Sequence, residues 1–128
     1  PFSNNSANTT VLPAEEKALL DRCGGDVMFF RLKGPLSFGA AKGIIDRMAL
    51  VQNYKILILD ITEVPRLGVT ASLALEDMMQ EAKNNSKKAF IAGANDKVKE
   101  RLSKFGIDGF IVETRKEALL AALDEIKK

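Results

Sequence analysis

The chain has 128 residues, 46% apolar and 28% charged, with a formal net charge of +2, the balance of one globular domain rather than a disordered or fibrous chain. Its apolar runs fall short of the roughly 18 to 20 residues that span a bilayer, and its Lys and Arg are spread along the whole length, which argues against a dedicated nucleic-acid surface. His is absent and Cys23 is alone, which removes the commonest general base and metal ligand, excludes an internal disulfide and fits a reducing compartment.

Residues 1–12 (PFSNNSANTTVL) are rich in Ser, Asn and Thr without periodicity and read as a linker or tail, leaving 13–128 as the domain. Residues 13–23 (PAEEKALLDRC) have helical character that Gly24-Gly25 ends. The run DVMFFRLK (26–33), bounded by Gly25 and by Gly34-Pro35, is a strand between two turns. Ser37 stands where an N-cap would, and Ile44, Ile45, Met48, Ala49 and Val51 follow at helical spacing, which predicts a helix over 37–52.

KILILD (55–60) is too short for a helix and apolar on both faces, as in the central strand of a covered sheet. Beyond a loop with Pro65 and Gly68, residues 70–83 place Ala71, Ala74, Leu75, Met78, Met79 and Ala82 on one side and charged or amide groups on the other, an amphipathic helix. KAFIA (88–92) is a further strand, Asn95 caps a helix over 96–104, and 110–112 forms a last short strand. Thr114 and Glu117 make a capping box for a closing helix through Ile126. The order predicts a single α/β domain, with a mixed β-sheet of four to five strands and about four α-helices packed on it by right-handed crossovers.

Little in this chain is suited to catalysis. Without His there is no Ser-His-Asp or Cys-His arrangement, and neither a Walker A sequence nor G-x-G-x-x-G is present. No catalytic residue, metal ligand or cofactor is expected. Cys23 reads as a packing residue. Asp60 ends the central strand on this reading, where α/β folds hold ligands; its plain role is a loop-capping carboxylate that accepts N–H groups of residues 62–64, and an acid–base pairing with Glu63 is the enzymatic alternative. The richest stretch is DITEVPRLGVTASLALED, which passes from strand through an irregular loop to a helix whose first turn carries Thr70 and Ser72. Open amides there would favour an anion, although Thr70 would equally serve as a plain cap.

That stretch, from Asp60 to Ala74, resembles the core signature of STAS domains, the module shared by anti-sigma factor antagonists and the cytoplasmic tails of SulP anion transporters. GPLSFGAA (34–41) is similar to the transporter-type turn, and AGANDKVKERLSKFGI (92–107) to the family's strand, Asn and helix pattern ending in Gly-Ile. In the antagonists the loop reads Asp-Ser-Ser-Gly with the second Ser phosphorylated; here that tetrad falls on Gly68, Val69, Thr70 and Ala71, so only the Thr70 hydroxyl survives. The detail VPRLGVTASLALED looks like the bicarbonate transporters of the BicA type.

The resemblance implies a regulatory domain at the cytoplasmic face of the plasma membrane, joined to the transmembrane domain of a transporter of bicarbonate or a similar anion, ideally with Na⁺. It implies a homodimer in the full-length protein, a kinase or a nucleotide as further partner, and no nucleic acid. Thr70 is the candidate phospho-acceptor, and Asp60, Thr62, Leu67, Gly68, Val69, Thr70 and Ser72 form the candidate ligand or partner loop. A free-standing antagonist switched by phosphorylation is the alternative.

Overall fold

The computed structural model describes residues 12–51 and 53–127; apart from Leu12, the predicted linker lies outside the described residues. In chain order the elements are α1 (Ala14–Cys23), a 3₁₀ turn (Gly24–Asp26), β1 (Val27–Lys33), α2 (Phe38–Leu50), β2 (Ile56–Glu63) and α3 (Val69–Asn84). They continue with β3 (Lys88–Ala92), α4 (Asp96–Lys104), a second 3₁₀ turn (Asp108–Phe110), β4 (Ile111–Val112) and α5 (Arg115–Lys127).

The strands lie in the order β1-β2-β3-β4, and each neighbouring pair is parallel. The expected α/β class holds, while the sheet, expected to be mixed, is parallel throughout the described residues. A helix joins each strand to the next, and such a crossover returns the chain to the end from which the previous strand began. Among the described residues five α-helices form where about four were expected, because the short helical segment before Gly24 is a full element packed on α5.

Alternation along β2 sends its side chains into two separate cores. Leu57, Leu59 and Ile61 face α2, α3 and α4, where they meet Ile44, Leu75 and Met78. Ile56 and Ile58 face α1 and α5, with Phe29, Leu19 and Leu119. Both faces being covered, the strand has no exposed side over Ile56–Ile61, which is why Ile56–Leu59 reads as a continuous apolar run. Each fully buried Leu or Ile contributes about 1.5–3 kcal/mol relative to exposure.

Side-chain caps fix three helix starts as the sequence predicts. Ser37 Oγ accepts from the Ala40 amide at 3.0 Å and Asn95 Oδ1 from the Val98 amide at 2.8 Å. At α5, Thr114 Oγ1 accepts from the Glu117 amide at 3.1 Å, while the Glu117 carboxylate accepts from the Glu113 amide at 2.9 Å. That second bond is one residue upstream of the partner in a standard capping box. β2, expected to stop at Asp60, runs on to Glu63, because Asp60 is paired inside the sheet, opposite Arg31 on β1 and Ala92 on β3.

Candidate functional site

Between β2 and α3 the chain is held down at two points, Val64 and Leu67, which are 1% and 4% exposed, while Pro65, Arg66 and Gly68 face solvent. Gly68 is the N-cap of α3, in extended conformation, and no side chain caps the first turn. The amides at the head of α3 therefore keep hydrogen-bonding capacity for water or a ligand. Thr70 is the second helical residue rather than the cap, so the capping reading of its hydroxyl does not hold, and its side chain is exposed. Val69 beside it is 56% exposed, a large apolar group in open solvent.

Two residues later the polarity reverses. Ser72 is fully buried, and its hydroxyl donates to the Gly68 carbonyl at 2.8 Å, the back-bonding to position i−4 that lets a hydroxyl sit inside a helix. Leu67 and Ser72 thus anchor a short arc on which Gly68, Val69 and Thr70 are presented outward.

Asp60 belongs to different surroundings. It projects to the α1/α5 side of the sheet, fully buried. Its Oδ1 accepts from the Thr62 amide at 3.0 Å and from the Thr62 hydroxyl at 2.5 Å, the local loop-capping role expected of it. Oδ2 meets Arg115 Nη1 at 3.0 Å and Arg31 Nε at 3.4 Å. Arg115 reaches on to Glu16 of α1 at 2.6 Å, and Arg31 to Glu63 at 3.0 Å. Burial alone would lower the Arg115 pKa, but the Glu16 and Asp60 carboxylates outweigh it and raise the value above the ordinary one.

The predicted set therefore divides in two. Leu67 to Ser72 form one arc, whereas Asp60 and Thr62 are bound to each other and face α5. With both Asp60 and Glu63 engaged by arginines, the geometry offers no support for that pair as acid and base. Burial raises the Cys23 thiol pKa; the charge of Asp26 adds to the shift and that of Arg22 opposes it, which keeps the sulfur a packing group.

Sequence reasoning missed Arg31, Arg115 and Glu16. The signal for the first was available, since Arg31 and Asp60 each interrupt an apolar run, VMFFRLK and ILILDIT, and opposite charges buried in neighbouring strands require each other. Nothing local pointed to Arg115, which is 55 residues from Asp60.

A parallel sheet covered on both faces is shared by many α/β folds, and likeness to known proteins narrows the class. The STAS domain family matches residues 20–120, and the chain belongs to it. Within that family it is of the SulP transporter kind, 32% identical to the SulP transporter STAS domain from Vibrio cholerae with a TM-score of 0.77, covering 90% of this chain and 98% of that one.

It is also 40% identical over 118 residues to the bicarbonate transporter BicA of Synechocystis sp., an alignment that takes in 88% of this chain and 21% of the transporter. The chain thus spans about a fifth of that relative's length. The anti-sigma factor antagonist SpoIIAA in its unphosphorylated form shares the fold alone, with a TM-score of 0.65 at 15% identity over 80% of this chain and 90% of that one.

Proposed function

We propose that the chain is the cytoplasmic regulatory domain of a SulP-type membrane anion transporter whose membrane part carries bicarbonate, coupled to Na⁺. The observation behind this reading is the 40% identity to a bicarbonate transporter across 88% of the chain. Among the described residues no helix is long and apolar enough to cross a membrane, so translocation belongs to another part of such a protein and this domain acts through docking. Its partners are the transmembrane domain of the same transporter and a second copy of itself.

The arc Gly68–Thr70 is the docking element. It is exposed and anchored on both sides, and it offers amides, an apolar side chain and a hydroxyl together. A kinase transferring the γ-phosphoryl group of ATP to Thr70 Oγ would add close to two negative charges beside the positive helix end. A nucleotide phosphate at the same amides would act similarly. Either ligand biases docking by its differential affinity for the docked and free forms.

The test is Na⁺-dependent bicarbonate uptake by the full-length protein that carries this chain, unaltered, with Thr70→Glu, with Thr70→Ala, or without residues 12–127. Uptake is expected to shift in opposite senses for the two substitutions and to lose its regulation on truncation. A coding sequence with no membrane spans around this chain, or a truncation that leaves uptake and its regulation untouched, removes the reading.

A further inference from the structure

Several surface cations are matched one to one with carboxylates. Lys17 pairs with Asp21 at 3.5 Å and Lys42 with Asp46 at 3.2 Å, each one turn apart on a helix. On α4 itself Lys99 meets Glu113 at 2.9 Å. The opposite side of α4 differs. Lys97, Arg101 and Lys104 recur there at helical spacing, and with Arg66 from the β2–α3 loop they line a cleft of about 310 Å³, together with Leu67 and a single carboxylate, Glu100. None of these four cations makes an ion pair among the described residues, and like charges one turn apart repel.

The walls of the cleft are locked to each other. The Asn95 side chain does two things at once: its Oδ1 caps α4 through the Val98 amide at 2.8 Å, and its Nδ2 donates to the Pro65 carbonyl at 3.0 Å. Val98 and Leu102 bury the inner side of α4 completely, and Leu67 pins the loop. Arg66 is thus held over the row of α4 cations by the residue that starts the helix. Such preorganisation lowers the ordering cost of binding.

We propose that this cleft binds a phosphoryl-bearing anion of high charge density, a free phosphoanion or the headgroup of an anionic phospholipid. Two guanidiniums supply paired donors that match phosphate oxygens, and two ammonium groups supply point charges. Its volume of about 310 Å³ has room for a diphosphate-sized group, and no aromatic side chain lines it as a platform for a base. The cleft adjoins the Gly68–Thr70 arc but uses other residues, so it stands whether or not the transporter reading does.

Inorganic pyrophosphate is the first probe, titrated at low ionic strength into the ¹⁵N-labelled chain while backbone amides are followed. Saturable shifts at Arg66, Leu67 and 97–104 are expected. The double variant Arg66→Gln/Arg101→Gln should weaken binding about tenfold or more, since charge-assisted contacts are lost. Lys83→Gln/Lys88→Gln, which removes equal charge elsewhere, should leave it unchanged. Asn95→Ser keeps a capping oxygen but loses the reach to Pro65, and should weaken pyrophosphate while α4 stays folded.

Phosphatidylglycerol vesicles form the second arm. Sedimentation that depends on Arg66 and Arg101, without binding of free pyrophosphate, assigns the lipid headgroup as the source. Two results overturn the proposal: no site-specific response to either probe, or polyglutamate bound as tightly as pyrophosphate with the same residue dependence. Thermal melts of each variant, expected to match the parent chain, keep loss of binding separate from loss of fold.

Discussion

Near the carboxyl end of β2 the two sides of the sheet treat polar groups in opposite ways. Towards α5, Asp60 is sealed from water and every polar partner it meets is already in place: Thr62, Arg115 and Arg31. Towards α3, the first turn has no side-chain cap and Thr70 stands in solvent. A buried carboxylate costs several kcal/mol unless it is paired, so the first arrangement is tied to the fold itself. An uncapped helix end at the surface costs little, because water takes the place of a partner, and it leaves those amides available. Charge inside an apolar strand is here tied to architecture, whereas the uncapped start of α3 leaves backbone amides open to water or a ligand.

The largest effect expected from breaking this contrast comes from Asp60→Ala. It takes the shared carboxylate from Arg31 and Arg115, whose side chains are 13% and 17% exposed and keep Glu63 and Glu16 as partners, so the loss is expected near the lower end of the about 3–5 kcal/mol for breaking a buried pair. Urea unfolding measures it; a loss below about 1 kcal/mol would show that water reaches the cluster and that the sealed side is not sealed. Gly93→Ala comes second. Gly93 has φ +83, and a Cβ there would collide with Thr62 Oγ1 and come within 3.0 Å of the Thr62 backbone. Positive φ with a tight neighbour costs about 1–3 kcal/mol, and part of that loss should reach Asp60 through Thr62. Combining Gly93→Ala with Thr62→Ser would not rescue it, since the Thr62 backbone stays in the way and a hydroxyl is retained; full rescue would refute the steric account.

Much of this is legible in the sequence. Apolar runs of five to eight residues and helical spacing locate the strands and helices, and Ser37, Asn95 and Thr114 announce their helices because a capping side chain acts within three residues of itself. The start of α3 is legible only in part: Thr70, read as a plain cap, is the second helical residue, and Gly68 stands at the cap position. The partners brought in by topology are not legible. Arg115 and Glu16 lie 99 residues apart yet approach to 2.6 Å, and Arg66 meets the α4 cations only because Asn95 ties loop to helix. The end of β2 is misplaced by one assumption, that a charge closes a strand; with Arg31 on β1 and Arg115 on α5 to pair Asp60 it does not.

Smaller effects test the open side. Thr70→Glu puts a carboxylate in the first turn of α3, where the helix dipole favours it by about 0.3–1 kcal/mol, so the melting temperature should hold or rise slightly. A marked drop would mean that Thr70 packs against something and is not free for modification. The finest test is Gly68→Ser. A Cβ at Gly68 meets nothing within 4 Å, and its φ of −79 suits any residue, so the glycine is not there for lack of room. A serine hydroxyl would accept from a first-turn amide and stabilise α3 by only a few tenths of a kcal/mol. The same hydroxyl would occupy an amide that the open end offers to a ligand. Stability up slightly and anion or partner binding down is therefore the expected pair of results from one substitution. If binding is unchanged while the new cap is seen to form, the amides at the head of α3 are not what a partner recognises, and the apolar Val69 and the Thr70 hydroxyl remain as the groups it meets.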